Sequence, residues 1–110
     1  MSYLHRVLTI AVAAALLSMN AQAGTDSGCW VVQNVAAGDA LNVRQRPSHR
    51  SAIVDRLIPG QHGIIGAIGK CRPSHKPWSK RWCPISHSSG NYATTRGWVK
   101  ARYIRGSGCP

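Results

Sequence analysis

The chain has no glutamate and only three aspartates, Asp26, Asp39 and Asp55, against 14 Lys and Arg in 110 residues. So few carboxylates leave little room for chemistry that needs them in pairs. Glycoside hydrolysis places two carboxyl groups on opposite sides of the scissile bond; here Asp26 falls in a small, polar stretch, and Asp39 and Asp55 sit near expected turns. Phenylalanine is also absent, and methionine occurs twice. No apolar run reaches the roughly 18 residues that a membrane-spanning helix needs. Internal repeats, heptads and long amphipathic helices are missing too, so the fold must come from short elements. Ser and His are plentiful from Pro84 to Gly90, but no nucleophile-elbow motif surrounds them.

The start of the chain reads as a targeting segment. His5 and Arg6 form a short basic region, Val7 to Leu17 is mostly apolar, and Ala21-Gln22-Ala23 is a small-x-small cleavage signal. An apolar stretch of about 11 residues is too short to anchor in a bilayer. A signal peptide over 1–23, cut after Ala23, is therefore expected, followed by a flexible leader at 24–28. The residue after the cut is Gly24, not Cys, so the sequence provides no lipid attachment there. A product in the periplasm or outside the cell follows, with no transmembrane segment in its mature form.

Residues 24–110, 87 in all, suffice for one domain. A domain of this size buries only about 60% of its unfolded surface, so covalent staples are expected. Cys29, Cys71, Cys83 and Cys109 can supply them in an exported chain, and four cysteines allow three pairings. Charge is the second global signal. Of the 14 Lys and Arg only Arg6 lies in the leader, so 13 remain against three Asp, a net charge of +10. That excess exceeds what solubility alone asks of a small domain, about 2 to 8. It points to an anionic partner such as lipid head groups, acidic wall polymers or nucleic acid.

Patterning favours strands throughout. Cys29 to Val35 is rich in β-branched and aromatic residues and leads into a turn at Ala36-Ala37-Gly38-Asp39. Leu41 to Arg44 alternates, which places Leu41 and Val43 inward and Asn42 and Arg44 outward. Arg44 is a candidate to pair with Asp39 or Asp55. A polar loop over Gln45 to Ser51 follows, and Ala52 to Ile58 forms the next strand, stopped by Pro59-Gly60. His62 to Ile68, broken by Gly63 and Gly66, suits a short bent strand. Arg81 to Ser86 and Thr94 to Lys100 make two more, joined through Ser88-Ser89-Gly90-Asn91.

Two cassettes in this pattern carry a family likeness. Leu41-Asn42-Val43-Arg44 with Pro47-Ser48, and Arg96-Gly97-Trp98-Val99-Lys100-Ala101-Arg102-Tyr103-Ile104, together with Ile53-Val54 and Ile58-Pro59-Gly60, resemble the first and last strands of a bacterial SH3 domain (SH3b). The resemblance implies an all-β fold, a small SH3-like barrel of five to six short strands over residues 29–110, with a single helical turn at Ala101 to Ile104 before a last short strand. A barrel brings its terminal strands together, which favours Cys29 with Cys109 and leaves Cys71 with Cys83. It also makes the two cassettes neighbours, so that the basic group Arg44, Arg46, Arg50 and Arg56 merges with Arg96, Lys100, Arg102 and Arg105. In function the resemblance implies a binding module, not an enzyme.

The departure from the family lies in a long loop at 70–83, which holds five Lys or Arg, two Trp and no acid, with a cysteine at or near each end. Lys76, Lys80 and Arg81 supply charge there, and Trp78 and Trp82 offer flat faces for a sugar ring or head group. Parity adds detail: with Cys83 and Ile85 inward, Trp82 faces outward, and with Val99 inward so does Trp98. Trp98, Lys100 and Tyr103 complete the candidate ligand site. Alternatively, these indoles only cover the sheet surface. A zinc site is suggested by Cys71-x3-His75 and Cys83-x3-His87, but the spacing is not the usual C-x2-C and an even cysteine count in an exported chain is more simply bridged. No metal, cofactor or catalytic residue is expected. The expected role is an exported, monomeric module for a cell-wall or envelope anionic polymer or a peptidoglycan peptide. The alternatives are an adaptor gripping an extended peptide of another protein, or a protein acting through charge alone; nucleic acid is the less expected partner.

Overall fold

A computed structural model describes residues 28–89 and 93–110. The expected signal peptide, residues 24–27 of the leader, and Gly90 and Asn91 of the expected hairpin connection lie outside the described residues.

Seven strands are present among the described residues: β1 (Gly28–Val32), β2 (Leu41–Arg44), β3 (Ile53–Leu57), β4 (Ile64–Ala67), β5 (Trp82–Ser88), β6 (Thr94–Lys100) and β7 (Ile104–Gly108). Short 3-10 turns at Trp78–Lys80 and Ala101–Tyr103 are the only helical pieces among them. The strands form one antiparallel sheet in the order β3-β2-β6-β5-β4-β1-β7. All seven contribute to one core, so the sheet curls round on itself. The architecture is therefore all-β, with seven strands where five or six were expected. Gly28, assigned to the leader by sequence, begins β1 because it pairs with Gly108.

Period-two alternation explains the core. Leu41 and Val43 of β2, Leu57 of β3, Ile65 of β4, Cys83 and Ile85 of β5, Val99 of β6 and Ile104 of β7 are buried, joined by Ala101. With no phenylalanine available, these are, apart from the bridged Cys83 and the small Ala101, Leu, Ile and Val side chains, each stabilising the fold by about 1.5–3 kcal/mol on full burial. Two turns have clear local causes. Asp39 N donates to Ala36 O with Gly38 at φ 86°, and Gln61 N donates to Ile58 O with Gly60 at φ 77° behind Pro59. Both put glycine where a type II turn requires positive φ.

Two disulfides close the structure. Cys29 joins Cys109 across β1 and the end of β7, and Cys71 joins Cys83. Their sequence separations are 80 and 12, for which the chain-entropy model gives about 4.5 and 3 kcal/mol. Both cysteine sulfurs of the zinc set suggested by spacing are thereby bonded to each other and are not thiolates.

A polar pair also stitches the sheet. His87 on β5 lies on the inward face and is buried, its Nδ1 2.6 Å from Asp55 Oδ2 on β3 and its Nε2 bonded to the His62 carbonyl. Asp55 is thus engaged by His87. Arg44, offered above as its partner, donates instead from Nη1 to Ser51 O at 3.1 Å, closing the polar loop after β2.

Candidate ligand-binding cleft

Residues from distant parts of the chain converge on one cleft of about 490 Å³. One wall is the segment from Asn34 to Asn42 with Arg44; the other elements are His49, Trp82, Lys100 and Tyr103. Strand pairing accounts for the meeting. Arg44 of β2 stands opposite Trp98 of β6, and Trp82 of β5 opposite Lys100 of β6. The first and last cassettes are thus adjacent strands.

Trp82 is the centre of the arrangement. It belongs to the outer face, as parity predicts, since it is outside the core cluster that holds Cys83 and Ile85. Yet it is only 8% exposed. The Lys100 ammonium sits 4.9 Å from its ring centroid, and the His49 ring meets it edge-on at 4.9 Å. The open stacking plate expected from sequence is therefore already covered. Trp82 acts as a platform that holds a cation and an imidazole at the cleft. Tyr103 behaves likewise, with the Arg102 guanidinium 5.4 Å from its ring centroid.

The 70–83 loop is built to hold its shape. Besides the disulfide, Arg72 N donates to Trp82 O and Trp82 N to Arg72 O. Arg81 donates from Nε to Lys76 O at 2.7 Å and from Nη2 to Ser74 O at 3.0 Å. Its guanidinium thus braces the loop rather than facing a ligand. Trp78 leaves the cleft as well: its ring packs on Trp30 at 5.8 Å, while 39% of the residue stays exposed. Trp98 is half-buried beside Arg44 and is not part of the cleft lining.

Lys76 and Lys80 do act on the cleft. Ala101 N donates to Arg81 O at 2.9 Å, which sets the 3-10 turn carrying Arg102 and Tyr103 against the end of the loop. Burial, and then the positive fields of Lys76, Lys80 and Arg102, lower the Lys100 pKa below the ordinary lysine value. Of the eight residues expected at the site, Trp82, Lys100 and Tyr103 line the cleft, Lys76 and Lys80 bias its charge, and Trp78, Arg81 and Trp98 do other work. The two basic groups merge only in part: Arg44 and Lys100 line the cleft and Arg102 lies over the Tyr103 ring, but Arg46, Arg50, Arg56, Arg96 and Arg105 are not in the lining.

Sequence reasoning missed Asn34, Asp39, Asn42 and His49 as lining residues. Asn42 had a signal, since it shares the outward face of β2 with Arg44. Asn34 has a backbone φ of 58°, and its side-chain amide donates to Arg102 O at 3.0 Å, while the neighbouring Gln33 donates to Ile104 O at 3.2 Å. These amides fasten one cleft wall to the turn that carries Tyr103. No helix among the described residues is long and apolar enough to cross a membrane. Comparison of the chain with family models, with curated proteins and with solved structures finds no match.

Proposed function

We propose that this chain is a non-catalytic, exported binding module of the SH3b type, whose cleft engages a cell-envelope component, a peptidoglycan peptide or an associated anionic polymer. The observation that carries the reading is Trp82 clasped by His49 and Lys100 in a cleft that also holds Arg44 and Tyr103. Supporting it, the two SH3b-like cassettes pair side by side through Arg44 and Trp98, in a sheet that curls round one core. Two disulfides fit an oxidising compartment such as the periplasm or the exterior. A binding role is favoured over catalysis because both ring nitrogens of the buried His87 are engaged, by Asp55 and by a carbonyl, and all four cysteines are bridged. No thiolate nucleophile results among the described residues.

A second reading, an adaptor for an extended peptide, is favoured by β3. It lies at one edge of the sheet order, and Ile53 and Val54 on it are each 41% exposed. An edge strand with apolar side chains is a template for strand addition.

A pulldown with purified sacculi, lipopolysaccharide and DNA at low and moderate salt tests both. The cleft reading expects retention on an envelope polymer that survives moderate salt and is lost in Lys100→Ala. Loss in Ile53→Ser instead, with one protein co-purifying, favours the adaptor. Retention by none of the three materials refutes the envelope reading.

A further inference from the structure

Both aromatic rings in the cleft are occupied by cations. Lys100 lies over Trp82 and Arg102 over Tyr103, and His49 takes the edge contact at Trp82. A nucleobase, whose affinity for such sites comes from a free aromatic face, meets none at Trp82. What the rings do instead is orient positive charge.

Of these cations Lys100 lines the cleft itself, and others stand beside it, outside the lining. Trp82 pairs with Lys100 across β5 and β6, and the bond from Ala101 N to Arg81 O brings Lys80 beside the Lys100 to Arg102 segment. Lys76 is tied into the same corner through its carbonyl, which accepts from Arg81 Nε. Arg81 is itself committed to the loop. Lys76, Lys80, Lys100 and Arg102 are left as a four-cation cluster; Asp55 is bonded to His87, and Asp39 is the one carboxylate in the cleft lining. Burial first, and then the neighbouring charges of Lys76, Lys80 and Arg102, lower the Lys100 pKa, so like charges bear on one another in the free protein. A dianion relieves more of that repulsion than a carboxylate does, and a phosphate ester also presents three acceptor oxygens.

The rest of the cleft has different chemistry. Asn42 offers both donors and an acceptor, the Tyr103 hydroxyl can donate and accept, and Asp39 accepts. Such a mixture suits a ring bearing several hydroxyl groups. The volume of about 490 Å³ falls within the usual range for small-molecule sites, about 300–1,000 Å³.

We infer that the cleft recognises a phosphorylated sugar, its phosphate on Lys76, Lys80, Lys100 and Arg102 and its hydroxyls against Asn42, Asp39 and Tyr103. This rests on the cleft being the binding site, and it narrows the ligand from an envelope component in general to a sugar phosphate ester. The same ester could belong to a lipid head group or to a soluble or wall-bound glycan.

The test is an NMR titration of the purified, oxidised protein with glucosamine 1-phosphate, glucosamine and inorganic phosphate, following the Trp82 indole and the Lys100 and Tyr103 amides. The expected result is binding of the sugar phosphate at least ten-fold tighter than either fragment. Lys100→Ala should weaken it at least ten-fold. The pair Lys76→Ala and Lys80→Ala, both on the exposed loop, should do the same if Lys100→Ala does not fold; Arg105→Ala on β7 should leave it unchanged. Two vesicle arms separate the sources: retention on vesicles containing a diphosphorylated diglucosamine lipid, but not on phosphatidylglycerol alone, assigns the ester to a lipid head group. Binding of the soluble ester without vesicle retention assigns it to a glycan. Inorganic phosphate binding as tightly as the ester, or variants without effect, overturns the inference. If sacculi still retain the protein while the ester does not bind, only this inference falls; if neither binds, the cleft reading falls with it.

Discussion

Gly97 is the position where the packing of this sheet is most exposed to a single added atom. A Cβ placed there lies 2.5 Å from Val43 Cγ1, 2.7 Å from the Arg44 carbonyl oxygen and 3.2 Å from Val54 Cγ2. All three belong to β2 and β3, which lie against β6 at this point. Val43 is fully buried and Arg44 O is main chain, so neither can withdraw freely. Replacing glycine by alanine usually stabilises through the unfolded chain by about 0.4–1 kcal/mol where the native backbone tolerates it. Overpacking of this kind costs about 1–3 kcal/mol, so the clash wins. Gly97→Ala should therefore lower stability by about 1–2 kcal/mol net, and each kcal/mol moves Tm by roughly 4–8 °C in a domain of this size. Urea unfolding of the oxidised protein, followed by tryptophan fluorescence, gives the number. A double-mutant cycle with Val43→Ala sharpens it. Removing Cγ1 relieves one of the two closest contacts, so Gly97→Ala should cost less in that background by about 0.5–1 kcal/mol, but not nothing, because the Arg44 oxygen remains. A Gly97→Ala protein as stable as the parent, or a cycle with no coupling, would refute the close approach of β2 and β6.

Removing the Cys71–Cys83 bridge by paired Cys→Ala substitution should cost about 3 kcal/mol and removing Cys29–Cys109 about 4.5, so the second variant should unfold at lower urea; the reverse order contradicts the loop-closure account. Asp55→Ala leaves the buried His87 ring without its carboxylate partner and should cost about 1–3 kcal/mol by thermal unfolding, whereas Asp39→Ala, at an exposed turn, should change Tm little. The Lys100 pKa is below its unfolded value, so between the two values the unfolded chain binds more protons. Stability contributed by this group therefore rises as pH climbs through the folded pKa toward 10.5, while anion binding in the cleft falls over the same window. Titration of the Lys100 side chain by carbon-detected NMR checks the order, and a midpoint at or above that of exposed lysines contradicts it.

Much of the scaffold was legible because burial in a one-faced sheet imposes a period of two. Leu41 and Val43 were placed inward from alternation alone, and the outward face of Trp82 followed from taking Cys83 and Ile85 as inward. The limits of the strands were less visible, because they depend on partners. The first strand stops at Val32 since Gln33 and Asn34 turn their amides to the Arg102 and Ile104 carbonyls. The fifth runs on to Ser88 since Ile64 and Thr94 pair with that residue from either side. The fourth contracts to Ile64–Ala67 between its flanking glycines. The site was half legible. Clustered Lys and Trp in the 70–83 loop drew attention to the right corner, but which side chain serves the loop and which the cleft is decided by geometry. Arg81 and Trp78 carried the same sequence signal as Lys80 and Trp82, and the first two are turned to the Ser74 and Lys76 carbonyls and to Trp30. His49 had no signal, because its contact with Trp82 spans distant parts of the chain.

The amide clamp of Gln33 and Asn34 on the turn that carries Arg102 and Tyr103 has a kinetic meaning. Together with the loop disulfide it ties both walls of the cleft to the sheet, so a ligand arriving there meets a floor that does not rearrange. The parts left to order are lysine side chains, whose long-range field speeds encounter and is damped by salt. Association and dissociation are thus governed by different residues: ionic strength should act mainly on the rate of arrival through Lys76 and Lys80, whereas the duration of the complex is set by the fixed contacts around Trp82 and Tyr103.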